Sequence, residues 1–163
     1  MLDLKRAFND DGFYFEINTT LDMSNVDYYG ICPLRQPVVV KGCITNHSGL
    51  VELKLGVDYT YTAPCDRCAN EVSKGYHFDY STALATSIEG EESDTILVIE
   101  NMQLNVEELV YCEVIGDLPT KFLCDENCRG LCSSCGKNLN EGECDCNGQE
   151  IDPRFAELAK LLK

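Results

Sequence analysis

The chain has 163 residues, with 28 acidic against 13 basic side chains and a formal net charge of −15. So acidic a surface repels phosphate backbones at long range, which opposes non-specific RNA or DNA binding and favours basic proteins as partners. No run of about eighteen apolar residues occurs and residues 1–12 lack the apolar core of a signal peptide, so the sequence predicts a cytoplasmic protein outside the membrane. Eleven cysteines, an odd number, fit a reducing compartment in which thiols stay free or bind metal.

The first third of the chain predicts three strands. Residues 12–17 and 36–45 are rich in aromatic and β-branched side chains. Residues 51–61 alternate apolar with polar or small side chains, the clearest period-two pattern in the sequence, so one face of this strand is expected to be buried. Between the first two strands, residues 18–36 have no stable period and contain Pro33, which predicts a loop.

A second long run, residues 75–84, is expected to pair with the alternating strand in a hairpin. The turn of this hairpin carries Cys65 and Cys68. Residues 89–94 are acidic and contain glycine, which predicts a solvated linker, and the apolar residues 95–99 predict a short strand after it.

Two helices are predicted in the second half. Asn105 is the expected N-cap of a helix over residues 106–115, because Glu108 stands at the reciprocal position of a capping box. The apolar face of this helix is expected to pack on the sheet. Near the end of the chain, Asp152 and Pro153 predict the start of a short C-terminal helix, which either packs on the core or docks on a partner.

These elements predict an α+β fold. It is expected to be a mainly antiparallel β-sheet or a partly open barrel with one packed helix, followed by a cysteine-rich zinc-binding tail and a short C-terminal helix. The β-rich core domain is expected to span residues 1–119, including the helix at 106–115. Residues 120–163, the tail and the last helix, are expected to pack on this core.

Eight of the eleven cysteines occur in four closely spaced pairs. Thiolates two to four residues apart can converge on one tetrahedral cation, whereas disulfides between such close neighbours are strained. Metal is therefore favoured over disulfides, and zinc is favoured over iron on cellular prevalence alone. The pairs are Cys65 with Cys68, Cys124 with Cys128, Cys132 with Cys135, and Cys144 with Cys146.

Two partitions of these pairs are open. The favoured partition has two tetrathiolate zinc sites, one formed by Cys65, Cys68, Cys124 and Cys128 and one formed by Cys132, Cys135, Cys144 and Cys146. The rival partition has one zinc in the tail and leaves Cys65 and Cys68 as a free dithiol. Residues 131–136 resemble a zinc knuckle, a tight turn whose backbone N–H groups point at the first sulfur and in which Gly136 supplies a positive φ.

No catalytic residue is predicted. The two histidines, His47 and His77, have no evident cysteine or serine partner, and neither a phosphate-binding Gly-Lys-Ser/Thr loop nor a His-Glu-x-x-His motif is present. Zinc sites saturated by four thiolates also leave no open position for activating water. The three remaining cysteines are expected to be small buried hydrophobic residues; they are Cys32, Cys43 and Cys112.

Several motifs between residue 60 and the end of the chain carry a resemblance to a known family. They are Cys65-Asp66-Arg67-Cys68, the helix at 106–115 followed by Leu118-Pro119, Cys128-Arg129-Gly130-Leu131-Cys132, Cys135-Gly136-Lys137-Asn138-Leu139-Asn140, Cys144-Asp145-Cys146 and Asp152-Pro153-Arg154-Phe155. In these motifs the chain resembles the YceD family, bacterial and plastid proteins named for large-subunit ribosomal RNA accumulation.

The resemblance implies a non-enzymatic role in making or stabilising the large ribosomal subunit, in the bacterial cytoplasm. For an acidic zinc protein, the expected partner is a basic ribosomal protein or a large-subunit precursor particle. Direct RNA contact through Arg129 and Lys137 is the less favoured mode. The alternative from another class is a thiol-redox or iron electron-transfer protein that uses the Cys-x-x-Cys pairs.

Overall fold

The computed structural model describes residues 1–87 and 95–146, and the chain divides into two compact units. The first unit comprises residues 1–63 and 73–120, and the second comprises residues 64–72 and 121–163. The predicted linker at 89–94 and the predicted C-terminal helix lie outside the described residues. The expectation that residues 120–163 pack on the core stays a prediction.

A five-stranded sheet dominates the first unit. In chain order, the elements are β1 (Leu2–Asp3), α1 (Lys5–Asn9), β2 (Tyr14–Leu21), β3 (Val38–His47), β4 (Leu50–Pro64), β5 (Glu71–Ala85), β6 (Ile96–Val98), a 3₁₀ turn (Glu100–Met102), β7 (Gln103–Leu104) and α2 (Val106–Asp117). The sheet runs β2-β3-β4-β5-β6, and β1 pairs separately with β7. The β2–β3 and β3–β4 pairs are antiparallel, whereas β6 adds in parallel to β5. The predicted α+β class is confirmed, with an open sheet and no closed barrel.

The burial of β4 follows its sequence alternation. Apolar residues on one face of this strand are buried, and the residues between them are half-buried or exposed, as the period of two requires. This buried face supplies much of the core of the first unit. Its members are Val51, Leu53, Leu55, Val57, Tyr59 and Tyr61.

Strand β2 is longer than the sequence predicts. Residues 18–21, expected to begin a loop, continue the strand because they pair with residues 38–41 of β3. Residues 18–21 have no apolar period of their own, so this extension depends on the ladder of a distant strand. The rest of the predicted loop, residues 22–36, contains no regular strand or helix.

Helix α2 begins with the predicted cap. The Asn105 side-chain oxygen accepts a hydrogen bond of 3.4 Å from the Glu108 backbone amide, and the Asn105 amide donates to the Glu108 carboxylate at 3.1 Å. At the other end, the Tyr59 hydroxyl donates to the Asp117 carboxylate at 2.7 Å and fixes the helix terminus to β4. Val110, near the middle of the helix, is buried. The helix therefore packs on the sheet as predicted.

The short helix α1 was missed by the sequence analysis, and a buried asparagine explains its position. Asn46, 2% exposed, donates from its side chain to the Ala7 carbonyl at 2.7 Å. Its side-chain oxygen accepts from the Gly49 amide at 2.9 Å. One side chain thus holds both α1 and the β3–β4 turn, which no local sequence pattern indicates.

We expect Asn46→Ala to lower the free energy of unfolding by about 2 kcal/mol, because it leaves a buried carbonyl and an amide without their partner. Urea unfolding followed by circular dichroism measures this change. The control is Asn18→Ala, at an exposed position of β2, which should change the free energy by less than about 0.5 kcal/mol. Equal effects of the two substitutions would contradict this role of Asn46.

Candidate metal centres

The eight paired cysteines lie in two sets of four in the second unit. In each set the four Sγ atoms lie within 4.8 Å of one another. Sulfur atoms at the corners of a tetrahedron about 2.3 Å from a central zinc would be about 3.8 Å apart, so each set has the dimensions of a tetrathiolate site. Two groups of four cysteines that can hold a metal ion are therefore present. The first set is Cys65, Cys68, Cys124 and Cys128, and the second set is Cys132, Cys135, Cys144 and Cys146.

Individual sulfur distances agree with these dimensions. In the first set, the Sγ atoms of Cys65 and Cys128 are 3.9 Å apart, and those of Cys68 and Cys124 are 3.6 Å apart. In the second set, the sulfur of Cys144 lies 3.4 Å from that of Cys132. This grouping is the same as the favoured partition from the sequence. Metal binding by the two sets stays a prediction.

The two Cys-x-x-Cys segments form the same backbone turn. In the turn at Cys65, the amide of Ala69 donates to the Cys65 carbonyl at 2.9 Å and the Cys65 amide donates to the Asn70 carbonyl at 2.8 Å. At Cys132 the corresponding bonds, from Gly136 and to Lys137, are also 2.9 and 2.8 Å. Each set therefore contains one knuckle turn.

The sequence predicts a ligand-presenting turn at Cys65 and Cys68 but not that it is a second knuckle, because its last position is not glycine. Gly136 has a φ of +75°, as predicted for the knuckle at Cys132. Ala69 takes the equivalent place with a φ of +59°, in a region that alanine adopts only at a cost of about 1–2 kcal/mol. The hydrogen bonds of the turn and the contacts of the surrounding cysteines offset that cost. A search for Cys-x-x-Cys followed by any residue, rather than by glycine, would have identified this turn as a knuckle.

The two residues between Cys65 and Cys68 hold the chain that carries the other half of the first set. The Asp66 carboxylate accepts from the Phe122 amide at 2.7 Å, and the Phe122 carbonyl accepts from the Asp66 amide at 2.9 Å. The Arg67 guanidinium donates to the Cys128 carbonyl at 2.9 Å. Asp66 and Arg67 thus bring a distant segment to the knuckle.

A glycine allows the backbone just before the second knuckle to approach the first knuckle. The Leu131 amide donates to the Arg67 carbonyl at 3.1 Å. Gly130, just before it, has a φ of +73°, and a Cβ atom there would lie only 3.0 Å from the same carbonyl oxygen. Only glycine combines this backbone conformation with so close an approach. Gly130 therefore belongs to the scaffold that joins the two sets.

The thiols of the first set differ in pKa. Burial raises the pKa of Cys65, but the backbone amides of Cys124, Arg67 and Cys68 hydrogen-bond to its sulfur and lower the pKa to about 6. Hydrogen bonding to the Cys128 thiol raises the pKa of Cys124 to about 12. Cys65 thus ionises readily, whereas the thiol of Cys124 needs a cation to lose its proton.

The thiols of the second set also differ in pKa. The backbone amides of Cys135 and Ser134 lower the pKa of Cys132 to about 6, and the Ser134 nitrogen lies 3.4 Å from the sulfur. Hydrogen bonding to Cys135 raises the pKa of Cys146 to about 12. In both sets the first cysteine of the knuckle has a pKa lowered to about 6.

One asparagine from the loop of the second set supports a sulfur of the first set. The Asn140 side-chain amide donates to the Cys128 sulfur at 3.3 Å and to the Asn138 side-chain oxygen at 2.9 Å. Its own side-chain oxygen accepts from the Arg129 amide at 2.8 Å. A hydrogen bond to a sulfur stabilises its thiolate form, and the pKa of Cys128 is indeed lowered, partly through Asn140 and against the effect of burial.

The cysteines of the first set form the buried core of their region. Cys65, Cys68 and Cys128 are the buried members of one apolar cluster, against which Val72 and Leu123 pack. So small a cluster buries little apolar surface, so it contributes little stability on its own. A metal ion bound by these thiols would supply folding free energy that the side chains lack.

The other predicted functional or buried residues belong to the first unit. Cys32 and Cys112 are exposed, so the prediction that they are buried is wrong, and Cys43 is half-buried. His47 is exposed, and the His77 ring nitrogen Nδ1 lies 2.8 Å from an Asp58 carboxylate oxygen on the sheet surface. Hydrogen bonding to Asp58 raises the pKa of His77, which agrees with a surface role.

We predict two metal ions per chain. Purified protein analysed by inductively coupled plasma mass spectrometry should contain two zinc ions, and one zinc each in the variants Cys65→Ser/Cys68→Ser and Cys132→Ser/Cys135→Ser. The control Cys32→Ser/Cys112→Ser, which alters two exposed cysteines outside the sets, should keep both ions. One ion in the wild type would contradict the two-site assignment.

We also predict that Asn140→Ala weakens metal binding by the first set, because Cys128 loses its hydrogen-bond donor. The loss in affinity should be about 10- to 100-fold, as for other groups that support a ligand without touching the metal. Competition with a chromophoric chelator measures it in the otherwise unchanged chain, in which the second set keeps its metal and holds the Asn140 loop; the step that belongs to the first set is the one that Cys65→Ser/Cys68→Ser abolishes. Unchanged affinity would exclude this role for Asn140.

Comparisons with known proteins agree on one family. The family described as large ribosomal RNA subunit accumulation protein YceD matches residues 53–162, which contain both sets and α2. The Bacillus subtilis (strain 168) protein named "Uncharacterized protein YlbN" is 26% identical over 158 residues, which cover 91% of this chain and 88% of the relative.

Two chloroplast relatives are both named "Large ribosomal RNA subunit accumulation protein YCED homolog 1, chloroplastic". The Arabidopsis thaliana protein is 35% identical over 57 residues, which cover 35% of this chain and 16% of the relative. The Zea mays protein is 22% identical over 153 residues, which cover 72% of this chain and 51% of the relative. The chain thus spans at most about half of the length of these two relatives.

Neither a solved structure nor a membrane-spanning helix helps to identify the protein. No solved structure matches the chain. Within residues 1–87 and 95–146, no helix is both long enough and apolar enough to cross a membrane. Because the family match covers more than half of the chain, including all eight paired cysteines, the chain belongs to the large ribosomal RNA subunit accumulation protein YceD family.

Proposed function

We propose that this protein is a non-enzymatic, zinc-binding factor that supports large-subunit ribosomal RNA accumulation by contacting proteins of the large-subunit precursor particle. The observation that carries the proposal is the family match over residues 53–162, whose description names this role. This role places the protein where the large subunit is assembled, in the cytoplasm of a bacterial cell.

The donor atoms support zinc as the metal. Each set offers four thiolates at tetrahedral spacing, and soft sulfur donors in this geometry select zinc or iron. Four protein ligands would saturate a zinc ion and leave no position for substrate or activated water. The ions would therefore hold the fold of the second unit, and the protein would act by binding.

The positions of the basic groups favour a protein partner over bare RNA. In the second unit, the Arg67 guanidinium donates to the Cys128 carbonyl, and the Lys137 ammonium donates to the Glu143 carbonyl at 2.6 Å. Both side chains are exposed but already donate to carbonyl groups of their own unit. Lys121 and Arg129 are exposed as well, but a few basic groups on a chain of net charge −15 give little affinity for a phosphate backbone.

Burial weighs against the thiol-redox alternative. Cys65 and Cys68 are 2% and 3% exposed, although the pKa of Cys65 is lowered. Thiol–disulfide exchange with another protein needs an accessible sulfur, so this pair is poorly placed for it. Each set also contains only one knuckle turn, so neither has the two that a rubredoxin-like iron site would use.

The test is the ratio of large-subunit to small-subunit ribosomal RNA in cells that lack the protein. We expect the ratio to fall, to be restored by the wild type and by the control Cys32→Ser/Cys112→Ser, and not to be restored by Cys132→Ser/Cys135→Ser. Immunoblotting must show equal amounts of the three proteins.

Two outcomes would contradict the proposal. An unchanged ratio in the depleted cells would reject the role in large-subunit assembly. Tight binding of purified large-subunit RNA at moderate salt, lost in the variant Arg129→Ala/Lys137→Ala, would reject action through protein contacts and support direct RNA binding.

A further inference from the structure

The outer edge of β2 is open. Among residues 1–87 and 95–146, β2 pairs with β3 alone and lies at the end of the strand order. The Asn46 amide donates to the Phe13 carbonyl at 3.0 Å, just before the strand begins. Because the bonds of an antiparallel ladder alternate, the backbone groups of Tyr14, Glu16 and Asn18 then face away from β3. They are free to pair with an added strand.

Aromatic side chains are exposed along this edge. Tyr14 is 65% exposed and Phe15 is 42% exposed. Natural sheets usually protect an open edge with charges, prolines or short strands, whereas β2 has eight residues and no proline. An accessible edge that presents aromatic rings is typical of a surface that another chain covers.

Two adjacent cavities follow the edge, and both are acidic. The first, of 490 Å³, lies at the start of β2, and the second, of 230 Å³, lies between β2 and the start of α2. Phe15 lines both. Five carboxylates and one basic side chain, Arg6, line the two cavities together. The carboxylates belong to Asp3, Asp10, Asp11, Glu16 and Glu107.

Arg6 shows how this surface binds a guanidinium group. Its Nε atom lies 3.3 Å from an Asp10 carboxylate oxygen, and its Cζ atom lies 5.8 Å from the centre of the Phe13 ring. A carboxylate and a ring face thus contact one cation together. Asp3 already pairs with Lys5, whose Nζ atom lies 3.8 Å from an Asp3 carboxylate oxygen. The carboxylates of Asp11, Glu16 and Glu107 offer the same kind of contact to cations from outside the chain.

We propose that the groove along β2 binds an extended, basic segment of a partner protein, which adds as a strand to the open edge. The segment's backbone would pair with Tyr14, Glu16 and Asn18, and its arginine or lysine side chains would contact the carboxylates and rings of the groove. The proposal rests on the proposed function, since proteins of the large-subunit precursor supply basic partners.

The binding test uses the full chain and a synthetic probe, a fluorescent peptide of alternating arginine and threonine about as long as β2. Fluorescence anisotropy should show binding, and a peptide of alternating glutamate and threonine should not bind. The variant Asp10→Asn/Asp11→Asn should weaken binding about tenfold, because neutral acceptors replace two charged ones. The amides still accept the hydrogen bonds that Arg6 and Ser48 now donate, so the fold should persist.

Three further variants test whether peptide affinity depends on the groove itself or only on the net negative charge of the protein. Asp58→Asn/Asp79→Asn removes the same charge from another part of the sheet surface and should leave peptide affinity within about twofold. Asn18→Pro removes an outward-facing amide without touching the β3 ladder and should weaken binding. Arg6→Ala frees a carboxylate and a ring and should strengthen it. Equal weakening by both acidic double variants, or no effect of Asn18→Pro, would overturn the proposal.

The remaining outcomes separate this proposal from the function it rests on. Suppose that Asp10→Asn/Asp11→Asn weakens peptide binding but still restores the ribosomal RNA ratio in depleted cells. The groove is then not the functional contact, so the groove proposal is rejected while the proposed function stands. If depletion leaves the ratio unchanged, the proposed function fails even where the peptide binds. A dimer in solution that Asn18→Pro dissociates would show that β2 pairs with a second copy, which also overturns the proposal.

Discussion

The second unit depends on the close approach of thiol groups that cannot all ionise without a cation. Four sulfur atoms lie within 4.8 Å of one another in each set, and the shifts of pKa to about 6 in Cys65 and to about 12 in Cys124 express the conflict. A divalent cation would remove the conflict, because it would stabilise every thiolate at once. In the first set, Cys65, Cys68 and Cys128 form the buried cluster of their region, so binding an ion there would be coupled to folding.

The hydrogen bonds between the two sets explain why their motifs occur together. Asp66 and Arg67 hold the segment that carries Cys124 and Cys128, and Asn140 from the second loop donates to the Cys128 sulfur. The residues between the cysteines therefore position the sulfur atoms of the first set.

The sequence predicts those features that local patterns encode. The alternation of β4, the cap of α2 at Asn105 and the spacing of the cysteine pairs each depend on neighbours within a few residues. Features that depend on distant contacts were missed or wrong. Helix α1 is held by Asn46 from β3, and Ala69 adopts a positive φ because the knuckle around it requires one. Cys112 is exposed because it lies on α2 away from the buried face formed by Val106, Val110 and Val114, and Cys32 is exposed in the irregular segment between β2 and β3.

Hydrogen–deuterium exchange on the metal-loaded and chelator-treated protein tests most directly whether bound metal organises the second unit. We expect metal removal to abolish protection of the knuckle amides, such as those of Ala69 and Gly136, while amides in β3 and β4 stay protected. The two knuckle amides are hydrogen-bonded at 2.9 Å, so their exchange reports directly on the turns. Unchanged protection at Ala69 and Gly136 after complete metal removal would show that the turns form without metal.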